Sequence, residues 1–254
     1  MTKPLSLFIL SSAVLLCCAA PVEAQTLQTK RFGLSSFERV EVQGDMIVEI
    51  SASPSISAVA EGPSTALDTL SLEVRERTLV IRHAFEGSYG QRQAHGQGSG
   101  PVRVRLTAQN LSSVSLAGSG TVRVEGLRGS SIQLVVDGAG SIAGSIPDGA
   151  VVSSRAVGSG SITLSGRARS LTAITNGAAS INAAGLPVRD LTVQAVGSGA
   201  SSFAASATAN IFAMGSANVA VSGRPRCTVR NAGAGTIACG DDARSRLPQS
   251  ADNR

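Results

Sequence analysis

The 254-residue chain has no Trp, one Tyr and six Phe. Aromatic side chains supply much of the buried area of ordinary domains, so a core built on them is excluded. Charge is sparse too, at 15%, while 43% of residues are hydrophobic, which argues against a disordered chain. Acids are rarest where the chain is most regular: between Leu111 and Gly240 only Glu125, Asp137, Asp148 and Asp190 occur. Glycoside hydrolysis needs paired carboxylates, and lyases commonly need acidic ligands for Ca²⁺ beside a basic catalyst. Glu125 and Asp137 lie twelve residues apart and need not share a face. The two histidines, His83 and His95, suggest no third metal ligand, and no G-x-S-x-G nucleophile motif occurs. No catalytic residue, metal ligand or cofactor is therefore expected.

Long apolar runs are scarce as well. Leu5–Ala20 is about sixteen residues, short of the ~20 that span a bilayer, and no later segment comes close. Behind Lys3 and ahead of Val22-Glu23-Ala24, it reads as a signal peptide over 1–24, cleaved between Ala24 and Gln25. Lipidation at Cys17 or Cys18 is disfavoured, because Leu16 or Cys17 precedes it where a small residue is needed. The expected product is exported, to the periplasm or cell surface, without a transmembrane segment after cleavage. The net charge of +5 comes from 22 basic and 17 acidic residues, with no dense basic run and no interleaved aromatics, so nucleic acid is not an expected partner.

What the chain has in excess is glycine, 28 residues. They lack the three-residue period of collagen, and an interior Gly costs a helix about 1 kcal/mol relative to Ala. An all-β protein with glycine at fixed places remains. The triplets Gly118-Ser119-Gly120, Gly138-Ala139-Gly140, Gly158-Ser159-Gly160, Gly177-Ala178-Ala179, Gly197-Ser198-Gly199, Gly215-Ser216-Ala217 and Gly233-Ala234-Gly235 recur every 18 to 20 residues. Four positions after each first glycine stand Val122, Ile142, Ile162, Ile181, Val219 and Ile237, with Ser201 the exception; six before stand residues such as Ile132, Val152, Leu171, Leu191 and Cys227. Apolar positions two apart mark short strands buried on one face. One such repeat cannot bury that face alone, so the copies must stack. The expected fold is all-β, a right-handed β-helix or β-solenoid-like roll of 18–20-residue Gly-rich repeats. Its corners hold the triplet glycines, and small Ser and Ala side chains form a ladder between them. A nucleotide loop is excluded because no helical pattern follows any triplet, and Phe203 and Phe212 are expected in the core.

Over 32–106, strands without the repeat (Val40–Val42, Ile47–Ile50, Leu70–Val74, Leu79–Ile81) should form the first coils or cap the stack. Gly44-Asp45 would turn a hairpin, and Ser64–Leu70 a short helical turn. Residues 86–100 read as a flexible loop, 111–240 as seven repeats, and 241–254 as a disordered tail. Cys227 and Cys239 flank Gly233 by six residues on each side, which in an exported protein favours a disulfide over a metal or redox pair.

These features resemble the bacterial auto-transporter adhesin head GIN domain family. The resemblance rests on Phe37-Glu38-Arg39-Val40-Glu41-Val42-Gln43-Gly44, the strand Ile47–Ile50, Leu79-Val80-Ile81 and the triplets, and covers about 32–240. It implies an exported β-helical domain of the cell envelope with an adhesive role, and it offers no catalytic residues. The functional expectation is a non-enzymatic envelope binding or structural module whose partner is an unknown envelope protein or glycan, with self-association left open. The alternative is a β-helical lyase or hydrolase acting on polysaccharide. An ice-binding surface is disfavoured by irregular Thr placement.

Overall fold

The computed structural model describes residues 27–83 and 102–240. In chain order its strands are β1 Gln28–Phe32, β2 Arg39–Gln43, β3 Ile47–Ala52, β4 Ser57–Gly62, β5 Leu70–Arg75, β6 Thr78–His83, β7 Arg103–Ala108, β8 Ser113–Gly118 and β9 Thr121–Glu125. They continue as β10 Ser131–Gly138, β11 Ser141–Gly158, β12 Ser161–Gly177, β13 Ser180–Gly197, β14 Ala200–Gly215, β15 Asn218–Ser222, β16 Arg226–Gly233 and β17 Ile237–Cys239. A single helical turn, α1 Ser64–Asp68, stands where the sequence placed one.

The chain coils as a β-solenoid with two walls. One wall stacks β6, β2, β8 and β10 and then the second halves of β11, β12, β13 and β14 before ending on β16; all these strands are parallel. The other stacks β7, β3, β9, the first halves of β11 to β14, β15 and β17. Alternation along each strand sends every second side chain inward. Val48, Val122, Ile142, Ile162, Ile181, Ser201, Val219 and Ile237 form one interior column, and Val40, Val114, Leu134, Ser154, Ala173, Val193 and Ile211 form a facing one. Ile142, Ile162 and Ile181 are at most 1% exposed, and burying each contributes about 1.5–3 kcal/mol. This thin aliphatic stack needs no Trp. Ser201 interrupts the apolar column at little cost, because its buried Oγ accepts the Ile181 N–H at 3.1 Å.

On one side the walls are joined by the triplets. Gly158 shows why a Cβ is not tolerated there. Its φ is +98°, and a Cβ would sit 2.6 Å from the Gly138 carbonyl oxygen of the coil below. That same carbonyl accepts the Ser159 N–H at 2.9 Å. The middle residues Ser119, Ala139, Ser159, Ala178, Ser198, Ser216 and Ala234 are all exposed, forming the expected ladder.

The strands of the N-terminal third form the first coils and a cap, and depart from the sequence expectation at one turn. Gly44-Asp45 does not turn a hairpin: β2 and β3 lie in different walls and do not pair with each other. Gly44-Asp45-Met46 is itself a corner beneath the first triplet, since a Cβ on Gly118 would meet the Gly44 oxygen at 2.5 Å and one on Gly120 the Met46 oxygen at 2.6 Å. The hairpin reading failed because Gly-Asp is an ordinary turn pair and only one copy lies in this region. The order of coils is not the order of the chain. The β2–β3 coil sits between β6 and β7 on one side and β8 and β9 on the other.

Beyond β6 and β7 this end is closed by antiparallel strands. β5 pairs with β6, β4 with β7, and β1 with β4. The β5–β6 turn places Glu76 and Arg77 at φ +46° and +64°, the twist that suits a two-residue hairpin. The Arg77 carbonyl then accepts the N–H groups of Glu38 and Arg39.

At the other end the stack stops on β16, whose residues are all exposed. Val229 continues the interior column but is 44% exposed. A disulfide joins Cys227 to Cys239, linking the two walls of this last coil. The expected cleavage point Ala24–Gln25, the signal peptide 1–24, the 86–100 loop with His95 and the 241–254 tail lie outside the described residues.

Candidate binding face

The outward columns of the wall ending on β16 mix aromatic, aliphatic, amide, hydroxyl and guanidinium side chains. In register across the stack stand Thr172, Thr192, Asn210 and Thr228; beside them Ile174, Gln194, Phe212 and Arg230; and beside those Asn176, Val196, Met214 and Ala232. Phe212 is 36% exposed, Val196 38% and Met214 44%. Phe212 is therefore not a core residue, contrary to the expectation from its apolar character. It stands three positions before Gly215, an odd offset, whereas interior residues stand at even offsets. Phe203, six positions after Gly197, does obey the interior parity and is 1% exposed. Offset parity was thus the signal that could have placed both rings.

Rigidity favours this face as a recognition surface. Each side chain projects from a strand paired on both sides through β14, so the grid is fixed by main-chain hydrogen bonds rather than by loops. An aromatic ring flanked by amides, hydroxyls and one Arg offers stacking area with polar partners around it, the usual make-up of a binding patch. The concavities are shallow. One, on the outer side of the other wall near the open end, is lined by small residues including Ala200, Ser202, Asn218 and Thr236. A second lies between Ser53, Pro54, Gln109, Asn110 and Arg128.

The acids weighed for catalysis are not brought together. Glu125 ends β9 in one wall, whereas Asp137 lies in the other, beside the corner at Gly138. Asp190 occupies the register column of Val151 and Ser170, six residues along the strand from the column of Asp137, or about 20 Å. Its carboxylate accepts a hydrogen bond from Thr208 Oγ1 at 2.7 Å and faces Arg189 Nε at 3.8 Å. His83 contacts Thr69 Oγ1 through Nδ1 at 3.2 Å. Among the described residues no cluster of His, Cys, Asp and Glu has the form of a metal site, and no helix is long and apolar enough to cross a membrane.

The stacked parallel strands, the triplet corners and the antiparallel cap define the class as a two-walled β-solenoid. The chain belongs to the family described as putative auto-transporter adhesin, head GIN domain, whose model matches residues 36–225. Solved structures share the fold. A putative adhesin from Bacteroides fragilis superposes with a TM-score of 0.74 at 17% identity, covering 85% of this chain and 98% of its own. A putative adhesin from Parabacteroides merdae gives 0.63 at 15% identity, covering 84% and 96%. A protein from Parabacteroides distasonis described as a putative lipid binding protein gives 0.67 at 17% identity, covering 84% and 96%. No curated protein matches the chain.

Proposed function

We propose that the protein is a non-enzymatic binding module of the bacterial cell envelope, exported to the periplasm or cell surface, that holds an envelope protein or glycan. The observation that carries this reading is the exposed Phe212, Met214 and Val196 set among Gln194, Asn210 and Arg230 on the wall ending on β16. The adhesin-like family supports it, as does the signal-peptide pattern of residues 1–24. Flat, regularly spaced side chains suit an extended partner, which buries surface along the wall rather than inside a pocket.

The test is a glycan and envelope-protein array probed with the purified protein and with Phe212→Ser/Met214→Ser. Both side chains point outward, so the melting temperature should stay within a few degrees. Binding to the partners recognised by the unaltered protein should weaken by about tenfold or more, the usual effect of removing a central aromatic contact. Undiminished binding by the variant would place recognition elsewhere and overturn the assignment to this face.

A further inference from the structure

The side of the solenoid opposite the triplets is a bend that differs from coil to coil, and it gathers arginines that the sequence scatters. Arg128, Arg167, Arg169, Arg189, Arg224 and Arg226 all lie at or next to this bend, and all are exposed. The register fixes their neighbours. Ala168 pairs with Val188 and Ser170 with Asp190, so Arg169 and Arg189, each between two paired residues, project from adjacent coils. Thr208 pairs with Asp190 and with Arg226, which puts Arg226 two coils beyond Arg189. At about 4.8 Å per coil, the five arginines from Arg167 to Arg226 occupy roughly 14 Å of the stack.

This ridge differs from the basic residues at the closed end. There Arg75 and Arg82 meet Glu73, Arg77 meets Glu38, Arg103 meets Glu49, and Arg105 meets Glu49 and Glu61. Among the described residues, Arg189 is the one ridge arginine in ion-pair range of an acid, Asp190 at 3.8 Å; Asp148, exposed at the same bend, pairs with none. Among the described residues, Arg128, Arg167, Arg169, Arg224 and Arg226 make no ion pair and no side-chain hydrogen bond. Like charges stacked in neighbouring coils, within a Debye length of one another, repel in the isolated protein. An anionic partner running along the stack relieves that repulsion.

We infer that the arginine ridge binds a linear polysaccharide bearing carboxylates, laid parallel to the solenoid axis. The guanidinium fork matches a carboxylate in shape as well as charge, and forks on three of the four successive coils from β12 to β16, with none on the β14 coil, suit a polymer whose charges repeat along a line. Among the described residues the ridge offers no aromatic ring on which bases could stack, which disfavours single-stranded nucleic acid. It lies off the wall that carries Phe212, so its failure and the failure of that face are separate results.

The experiment measures binding of the purified protein to sodium polygalacturonate, with neutral dextran and a single-stranded oligothymidylate alongside, over a series of salt concentrations. Arg167→Gln/Arg169→Gln/Arg189→Gln is compared with Arg75→Gln/Arg77→Gln/Arg82→Gln, which removes the same formal charge from the closed end. The ridge variant should lose about tenfold or more in affinity for polygalacturonate, and the slope of log K against log salt should fall by about two. The closed-end variant should change by less than about threefold, because its arginines are already paired. Thermal melts of both variants verify folding, and single Arg169→Gln, with a smaller loss in the same direction, serves if the triple variant does not fold. Three results would overturn the inference: no binding to polygalacturonate, equal losses in the two triple variants, or an oligothymidylate bound as tightly as the polysaccharide.

Discussion

Replacing Gly158 by Ala isolates what the triplet corner demands. The change adds one methyl group and strains the chain in two ways. At φ +98° an L side chain costs about 1–2 kcal/mol. The new Cβ would also lie 2.6 Å from the Gly138 oxygen, and relieving such overpacking costs about 1–3 kcal/mol. The oxygen cannot simply retreat, because it holds the Ser159 N–H at 2.9 Å. Against these costs, the stiffer unfolded chain returns about 0.4–1 kcal/mol. The net destabilisation is about 1–4.5 kcal/mol, which for a chain of this size lowers the melting temperature by roughly 2–18 °C. Two further glycines separate the causes. Gly149, at φ +78° with nothing within 4 Å of a built Cβ, should show only the backbone strain on substitution. Gly185 has no such φ, and its nearest neighbour would be the Leu164 oxygen at 3.6 Å, so Gly185→Ala should be neutral or slightly stabilising. Calorimetric melts of the three Ala variants give the comparison. If Gly158→Ala melts within about one degree of Gly185→Ala, close stacking is not what fixes glycine at these corners.

Opening the disulfide by Cys227→Ala/Cys239→Ala, twelve residues apart, should cost about 3 kcal/mol on the loop-entropy account. The loss should be local, with amide exchange rising in 226–239 while the coils around Ile162 and Leu171 stay protected; a uniform rise would show that the bridge supports the whole stack. At the closed end, the hydrogen bond from Arg75 at 2.5 Å, and then the charge of Arg75, hold the Glu73 carboxyl below the ordinary glutamate value, with a smaller contribution from Arg82. A depressed carboxyl stabilises the fold above its unfolded pKa of about 4.3 and loses that contribution as pH falls through the folded value. An NMR titration should find the Glu73 midpoint below that of a free glutamate, and Arg75→Ala should bring it back up; a midpoint insensitive to Arg75→Ala would refute the pairing.

The repeat was legible because stacking leaves a strict residue record. The carbonyl of one corner forbids a Cβ on the next, and the two walls fix which offsets point inward. Cys227 and Cys239, both six from Gly233, satisfy that parity as interior positions of the last coil. What escaped reading lay where the period breaks. Gly44-Asp45-Met46 is a corner more than seventy residues from the next one, Gly118, so no spacing connects them. The arginines were invisible as a group because the bend varies in length, and residues at different offsets from their glycines end up side by side. Phe212 was misjudged by its chemistry when its offset already placed it outside.

The interleaved coil at the closed end also sets an order of events for a chain emerging from its N-terminus. β2 gains its first neighbour in β6 and β3 in β7, and neither is paired on both sides until β8 and β9 exist, so residues 39–52 are enclosed only with chain as far as residue 125. Such pairings between distant segments are slow to close, since loop entropy is spent before contacts form. Every later coil then finds a finished edge and adds by contact with its immediate predecessor alone. Assembly is therefore a slow initiation followed by zipping toward Cys239, and the number of coils can grow or shrink by whole repeats without disturbing the step that starts it.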